Sequence, residues 1–321
     1  MRRAQALEHE FAGQSEPSGV PRKSTPREVT YLEGGFAAHV VIPAAGRSSG
    51  IRYFLDGTQR TLPFLRCGMV PTAVGMSAVG VVERPAGEEC RIVPGSMRLA
   101  RTWMVPEVPG ITETAELAKH LRSSGELVVD PLIDAGYGDD ADYALHLQAI
   151  YNACLREREL AERRLLVDFW ASRGWTGDDG WIVVDGRLSE PLPGAIGLVK
   201  QFSNTYLSAQ DAQVLLRLQP GERSSAFRPA GQSAMGERTL WYLRLWNADG
   251  QDARHSLIRL ETHGGVNTTE EIDRISSWIL AERTPRATGD ARWATLLYPI
   301  HILERALKRT LDAETRGWTA R

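Results

Sequence analysis

The sequence predicts an α/β protein in which helices flank a mixed central sheet. Residues 181–184 (Trp-Ile-Val-Val) form an unbroken apolar run, which is typical of a strand buried on both faces. Residues 51–94 are rich in β-branched and small residues and predict several consecutive strands. Residues 141–170 carry apolar side chains at steps of three and four, which is the spacing of a long helix. Together these three segments favour the α/β class.

Length and composition describe an ordinary globular chain. The 321 residues suffice for one large or two ordinary domains, and 42% are hydrophobic and 24% charged. The net charge of −2 gives no global basic field, so a polyanion would need a local basic patch. No run approaches eighteen apolar residues, and the first eleven residues lack the apolar core of a signal peptide. Three cysteines without metal-ligand spacing suit a reducing compartment. A cytoplasmic protein is therefore predicted.

The N-terminal segment contains a polar stretch and a Gly-rich turn. Residues 1–28 are polar and rich in Gly, Ser and Pro, which predicts a mobile arm ahead of one domain over 29–321. An apolar strand over 36–42 then enters the turn PAAGRSSG at 43–50. This turn resembles the phosphate-binding signature of nucleotidyltransferases, in which a Gly-rich turn surrounds a triphosphate. Here it runs into a strand rather than a helix, so nucleotidyl transfer is the less favoured alternative.

Two apolar runs end in the dipeptide Asp-Gly. The run over 51–55 ends at Asp56, and the run over 181–184 ends at Asp185. One interpretation is that each Asp-Gly is a common hairpin turn. The other is that two strand ends bring both carboxylates to one metal site. A strand pattern over 70–94 follows the first unit and predicts a β-meander.

The long predicted helix supplies a candidate third carboxylate. Its apolar stripe contains Ile150, Cys154 and Leu165, and Glu157 interrupts that stripe. Glu157 either pairs with a neighbouring arginine on a charged surface or lies over the sheet near both Asp-Gly strands. A shorter helix is predicted ahead of it, over 115–121.

The C-terminal half predicts a further strand, a hairpin and three helices. A strand over 194–200 ends at Lys200, which is either a surface lysine or a cation placed to meet a phosphate. Alternating patterns over 241–246 and 256–261 predict a β-hairpin. Helices are predicted over the following ranges: 207–218, 271–281 and 299–311. Pro299, after Tyr298, suits the first helical position.

The order and spacing of these motifs resemble those of the NurA nuclease family. The resemblance covers about residues 36–311. That family comprises prokaryotic DNA-end-processing enzymes with an RNase H-like core. The resemblance implies an RNase H-like mixed sheet flanked by helices, with the meander and the hairpin as insertions. It implies that Mn²⁺ or Mg²⁺ is bound by Asp56, Glu157 (or Glu159) and Asp185. Lys200 and Tyr298 match the family's lysine and terminal tyrosine.

The resemblance also implies partners and a cellular role. The expected substrate is DNA, and the expected assembly is a homodimer that binds a hexameric HerA-type ATPase, in DNA repair or phage defence. Two positions depart from the family pattern: Arg187 replaces a small hydroxyl residue, and Ala306 replaces the usual histidine. His301 lies five positions earlier, about 140° away around a helix. A catalytically weak DNA-binding or assembly module is therefore a further alternative.

The chemistry of phosphodiester hydrolysis agrees with this residue set. The reaction needs a positioned water and neutralisation of charge on the leaving oxygen, and two divalent ions supply both. Hard divalent ions prefer carboxylate oxygens. Three clustered carboxylates repel one another without metal, so metal binding is expected to stabilise the fold.

Overall fold

The computed structural model describes most of the chain in eight segments. These are residues 28–42, 49–85, 89–133, 142–177, 180–202, 206–230, 237–284 and 292–318. Residues 1–27 of the predicted arm and residues 43–48 of the Gly-rich turn lie outside these ranges. In the described segments, no helix is both long and apolar enough to cross a membrane.

Thirteen strands in the described segments form one mixed sheet. They are β1 Val29–Tyr31, β2 Ala38–Val40, β3 Ile51–Cys67, β4 Val70–Glu83, β5 Arg91–Ile92, β6 Arg98–Met104, β7 Val128–Val129, β8 Trp181–Asp185, β9 Ala195–Val199, β10 Glu222–Ser224, β11 Phe227–Pro229, β12 Arg238–Arg244 and β13 Leu257–His263. The main path through the sheet is β1-β11-β12-β13-β9-β8-β3-β4-β6-β7. Strand β10 joins β12 to β2, and β5 pairs with β4. The α/β class is thus confirmed.

In the part of the chain that the structure describes, five α-helices accompany the sheet, and each corresponds to a helix that the sequence predicts. They are α1 Thr112–Ser123, α2 Tyr143–Trp170, α3 Ala209–Leu216, α4 Thr269–Glu282 and α5 Tyr298–Glu314. Short 3-10 turns cover Ala171–Arg173 and Trp293–Thr295. Side chains cap α2, α3 and α4, since Asp142, Ser208 and Thr268 each accept a hydrogen bond from a first-turn backbone N–H. Helix α5 begins with Pro near its first position, as predicted.

Strand β8 lies in the middle of the sheet, between two parallel neighbours. It pairs with β3 on one side and with β9 on the other. Trp181 and Val183 belong to a core that includes residues of α4 and α5. Ile182 and Val184 belong to a second core, built with α2. Burial on both faces explains why the run is apolar at every position rather than at every second one.

Strand β3 corrects one sequence expectation. Asp56-Gly57 is not a turn at a strand end, because β3 continues from Ile51 to Cys67. Its antiparallel pairing with β4 runs from Tyr53↔Glu83 to Cys67↔Val70, and this ladder carries the chain straight through the Asp-Gly unit. Only the parallel pairing with β8 stops here, at Leu55↔Val184. Asp56 therefore lies within a strand, at the point where its parallel neighbour ends.

The predicted meander and hairpin are present, but both are part of the central sheet rather than insertions into it. Strands β3, β4 and β6 form an antiparallel meander. Strands β12 and β13 form the predicted hairpin, with Trp241 opposite Leu260. Strand β12 ends at Arg244, two residues before the predicted limit, and β6 was not separately predicted.

Candidate active site

Asp56 and Asp185 lie side by side on neighbouring parallel strands. The last register pair is Leu55↔Val184, and the two aspartates are the next residues on their strands. Neighbouring strands lie about 4.8 Å apart, and side chains at the same register point to the same face. Alternation along each strand directs both carboxylates to the side of Phe54 and Val183, which pack with α5. The sheet thereby brings two carboxylates together at one edge of the β3–β8 pairing.

Asp56 is a buried acid in a crowded electrostatic environment. Its side chain is almost fully buried, and its Oδ1 accepts a hydrogen bond of 2.7 Å from the Gly57 backbone N–H. Burial raises the pKa of Asp56 well above its usual range, and Asp185 and Glu162 raise it further. Lys200 opposes this shift. The free carboxylate is therefore disfavoured here unless a cation is close.

Lys200 forms an ion pair with Asp185. It follows directly after β9, which pairs in parallel with β8, and its Nζ lies 2.6 Å from Asp185 Oδ2. Both side chains are largely buried, with 16% and 19% exposure. The strand-end position that singled out Lys200 in the sequence therefore brings it to the aspartate pair.

The buried helical carboxylate next to this pair is Glu162, which lies against Gly57, the residue after Asp56; Glu157 and Glu159 lie elsewhere on α2. Glu157 lines a separate cleft with Cys154 and Gln59, and Glu159 is exposed. In this half of α2 the buried residues are Glu162, Leu165, Leu166 and Trp170. Glu157 lies five residues before Glu162, which is about 140° away around the helix. The sequence pattern identified the helix, but extending its apolar stripe from Cys154 points to Glu157, whereas the glutamate buried against the sheet is Glu162.

Glu162 is buried and paired with Arg158, one turn earlier on α2. Burial raises the pKa of Glu162 to about 7, Asp185 adds to this rise, and Arg158 opposes it. The Arg158 guanidinium also donates to Gln59 Oε1 at 3.3 Å. A four-residue spacing of Arg and Glu on a buried helix face was the signal that could have identified Glu162.

Gly57 makes room for Glu162. A Cβ atom at this position would overlap Glu162 Oε1 and lie 2.9 Å from Val79 Cγ1. We expect Gly57→Ala to displace Glu162, to lower the melting temperature and to weaken divalent-ion binding about tenfold or more. Calorimetric titration with Mn²⁺ measures the affinity. Gly35→Ala is the matched control, because nothing lies within 4 Å of its added Cβ. Equal Mn²⁺ affinity in both variants would contradict this role.

Helix α5 adds a fourth acid that the sequence interpretation missed. Glu304 contributes to the raised pKa of Asp56. Burial acts to raise the pKa of Glu304 itself, but Arg292 and Lys308, each 2.8 Å away, lower it. Glu304 borders the apolar stripe that includes Leu303 and Leu307, and a charge at the margin of such a stripe is its only sequence signal.

The predicted terminal tyrosine lies outside the buried cluster. Tyr298 is the first residue of α5, and 48% of its surface is exposed. His301 is partly buried on the same helix, and Ala306 occupies the position at which a histidine was expected. The structure thus brings Asp56, Asp185 and Lys200 together, adds Glu162, and leaves Glu157 and Tyr298 apart from the buried group.

The donor set fits a hard divalent cation in its chemistry. Asp56, Asp185 and Glu162 all offer carboxylate oxygens, and their mutual repulsion is the kind that a cation relieves. In the present side-chain positions, no three His, Cys, Asp or Glu side chains of the described segments are arranged so that they could hold an ion. Lys200 and Arg158 instead neutralise two of the carboxylates. Metal binding would therefore require these cations to move.

Comparisons with known proteins give little further information. No protein-family model matches the chain, and no curated protein matches it significantly in sequence. Among solved structures, the catalytic domain of human Endonuclease V is similar, with 15% identity and a TM-score of 0.31. That match covers 86% of this chain and 91% of the other. At so low a TM-score, neither a shared fold nor a shared activity follows.

Proposed function

We propose that this chain is a metal-dependent deoxyribonuclease with an RNase H-like core. The strand order β6-β4-β3-β8-β9, with α2 between the meander and β8, supports this core. The observation that carries the proposal is the placement of Asp56 and Asp185 next to each other on parallel strands, with buried Glu162 of α2 against Gly57, the residue after Asp56. Three carboxylates at such a point suit phosphodiester hydrolysis assisted by divalent ions.

Each residue of the group has a distinct proposed role. Asp56, Asp185 and Glu162 would hold Mn²⁺ or Mg²⁺, with Glu162 in place of the Glu157 or Glu159 that the family resemblance implies. The bound ion would supply charge neutralisation at the phosphate and an acidified water. The Lys200 ammonium would leave Asp185 and bind a non-bridging oxygen of the phosphate. An ammonium binds such an oxygen as a point charge. Arg158 lies close enough to Asp56 and Asp185 to offset part of their negative charge.

Lys200→Met is expected to lower kcat/KM for DNA cleavage about a hundredfold, because one charge-assisted contact to the phosphate is lost. Mn²⁺ affinity is expected to stay equal or to increase, since Asp185 loses its internal partner. Steady-state kinetics and calorimetry measure the two effects. Lys119→Met on the exposed face of α1 is the control. An unchanged kcat/KM in Lys200→Met would contradict the phosphate-binding role.

We also propose a homodimer that works with a hexameric HerA-type ATPase in DNA repair or phage defence. The dimer and the ATPase partner are supported by the motif resemblance to the NurA family. The net charge does not bear on them. Light scattering at micromolar concentration is expected to give twice the mass of the 321-residue chain. A monomer mass with and without Mn²⁺ would contradict the dimer.

One experiment separates the nuclease from its alternatives. Linear and circular DNA are incubated with the protein, with and without Mn²⁺, and again with a HerA-type ATPase. Cleavage that requires Mn²⁺ is the expected result, and the ATPase is expected to increase it. DNA binding without cleavage in every condition would instead support an assembly module. Consumption of a nucleoside triphosphate by the protein alone would support nucleotidyl transfer.

A further inference from the structure

A buried ion pair lies on β13, two strands from Asp185 and on the opposite face of the sheet. Arg259 and Glu261 are two residues apart on β13, so they share one face of the sheet, and both are almost fully buried. Arg259 donates to Glu261 Oε1 through Nε at 3.1 Å and through Nη2 at 2.9 Å. Strand β13 pairs with β9, with Arg259 opposite Val199, the residue before Lys200. The pair therefore lies one strand away from Lys200.

Glu261 also holds the loop that follows Asp185. Its second oxygen, Oε2, accepts a hydrogen bond of 3.2 Å from the Leu188 backbone N–H. Arg238 lies 3.6 Å from the same oxygen and donates to the Ser189 carbonyl at 3.3 Å. Gly197 lets this loop lie on β9, because a Cβ there would be 2.7 Å from Leu188 N. The Glu261 carboxylate thus fixes the turn after Asp185.

Arg259 contacts the segment that follows Lys200. Its guanidinium lies over the ring of Phe202, 5.6 Å from the centroid, and over the ring of Tyr206, at 5.4 Å. Such cation–π contacts favour one placement of the rings. Phe202 is only two residues from Lys200, so this contact restrains the backbone that carries the lysine. Glu261 therefore contacts the segment that follows Asp185, and Arg259 contacts residues that follow Lys200.

A buried ion pair is a poor source of stability, since the cost of removing two charges from water offsets most of their attraction. The pair instead fixes the positions of the groups that it contacts, the Leu188 backbone and the Phe202 ring. We propose that Arg259 and Glu261 form a positioning pair that holds Asp185 and Lys200 in the arrangement required for phosphodiester cleavage. This inference rests on the proposed nuclease function.

The chain contains a matched control for this pair. Glu33 and Arg223 form another buried pair, with Nη2–Oε1 at 2.8 Å, and Glu33 Oε2 likewise accepts from a backbone N–H, that of Ala226. This second pair fixes the segment before β2 and belongs to a different part of the sheet. Glu33→Leu and Glu261→Leu therefore remove the same kinds of contact, but only the second change affects the loop after Asp185.

The test compares Glu261→Leu, Glu261→Gln and Glu33→Leu in Mn²⁺-dependent DNA cleavage. Glu261→Leu is expected to lower kcat 10- to 100-fold with a smaller change in KM, since a supporting contact of the site is lost. Glu261→Gln is expected to recover most of kcat, because its amide oxygen still accepts from Leu188. Hydrogen exchange at the Leu188 amide is expected to accelerate only in Glu261→Leu. Glu33→Leu is expected to lower the melting temperature and leave kcat unchanged.

Two outcomes would overturn the inference. One is a kcat for Glu261→Leu equal to that of Glu33→Leu at a similar melting temperature. The other is unchanged exchange at the Leu188 amide. If Glu261→Leu does not fold, the apolar double variant Arg259→Met/Glu261→Leu replaces it, and a folded protein with wild-type kcat would then overturn the inference. If the wild-type protein does not cleave DNA, the proposed function fails, and Leu188 exchange still decides the positioning role.

Discussion

Asp185→Asn is expected to abolish Mn²⁺-dependent cleavage of DNA, lowering kcat about a thousandfold or more. The change removes one carboxylate charge from the group formed with Asp56 and Glu162 and leaves Lys200 without its partner. Loss of a ligand costs several kcal/mol of charge stabilisation in the transition state, and each 1.36 kcal/mol is about tenfold in rate. Single-turnover cleavage of linear DNA measures this effect.

The control for this prediction is Asp249→Asn, which changes an exposed aspartate in the turn between β12 and β13. It is expected to retain the wild-type rate. Asp56→Asn is expected to lower kcat as much as Asp185→Asn does, because both aspartates belong to the same group. Residual activity above about a tenth of wild type in either site variant would exclude a role for that carboxylate in the reaction.

The metal-free protein is expected to lose stability as the pH rises from 5 to 8. Burial raises the pKa of Glu162 to about 7 in the folded chain, from an ordinary value of 4.5. The folded chain therefore binds this proton more tightly, and the resulting stability is complete below about pH 4.5 and is lost as the pH rises through about 7. The associated loss in the free energy of unfolding is on the order of 3 kcal/mol. Denaturant unfolding in EDTA at several pH values measures it.

Glu162→Gln is the variant that isolates this effect, since it cannot titrate. Its free energy of unfolding is expected to change less between pH 5 and 8 than that of the wild type. Saturating Mn²⁺ at pH 8 is expected to restore the stability of the wild type but not that of Glu162→Gln. Identical pH profiles for the two proteins would show that Glu162 does not carry a raised pKa in solution.

The central strand and the helices could be predicted because their signals are local. Burial on both faces produces the continuous run over 181–184, and helical spacing produces the stripe that identified α2. The Asp-Gly unit at Asp56 was different. Asp-Gly favours a turn locally, whereas the long ladder with β4 keeps β3 extended to Cys67. Pairing with the next strand, in which Asp56 lies opposite Gly80, overrode the turn preference of the Asp-Gly dipeptide.

The choice of helical glutamate shows a second limit of sequence interpretation. Glu157, Glu159 and Glu162 lie on one helix, and only the position of α2 against the sheet decides which of them is buried. The absence of a side chain at Gly57 decides where the carboxylate fits, and Gly57 is 105 positions away in the sequence. Glu304 was missed for a similar reason, because its proximity to Asp56 depends on how α5 packs.

A crystal structure determined at saturating Mn²⁺, with anomalous scattering to locate the ion, tests the central claim most directly. The predicted result is an anomalous peak among the carboxylates of Asp56, Asp185 and Glu162, with Lys200 and Arg158 moved away from their present partners. A structure that keeps both ion pairs and has no Mn²⁺ at these three residues would contradict a metal-dependent nuclease at this site.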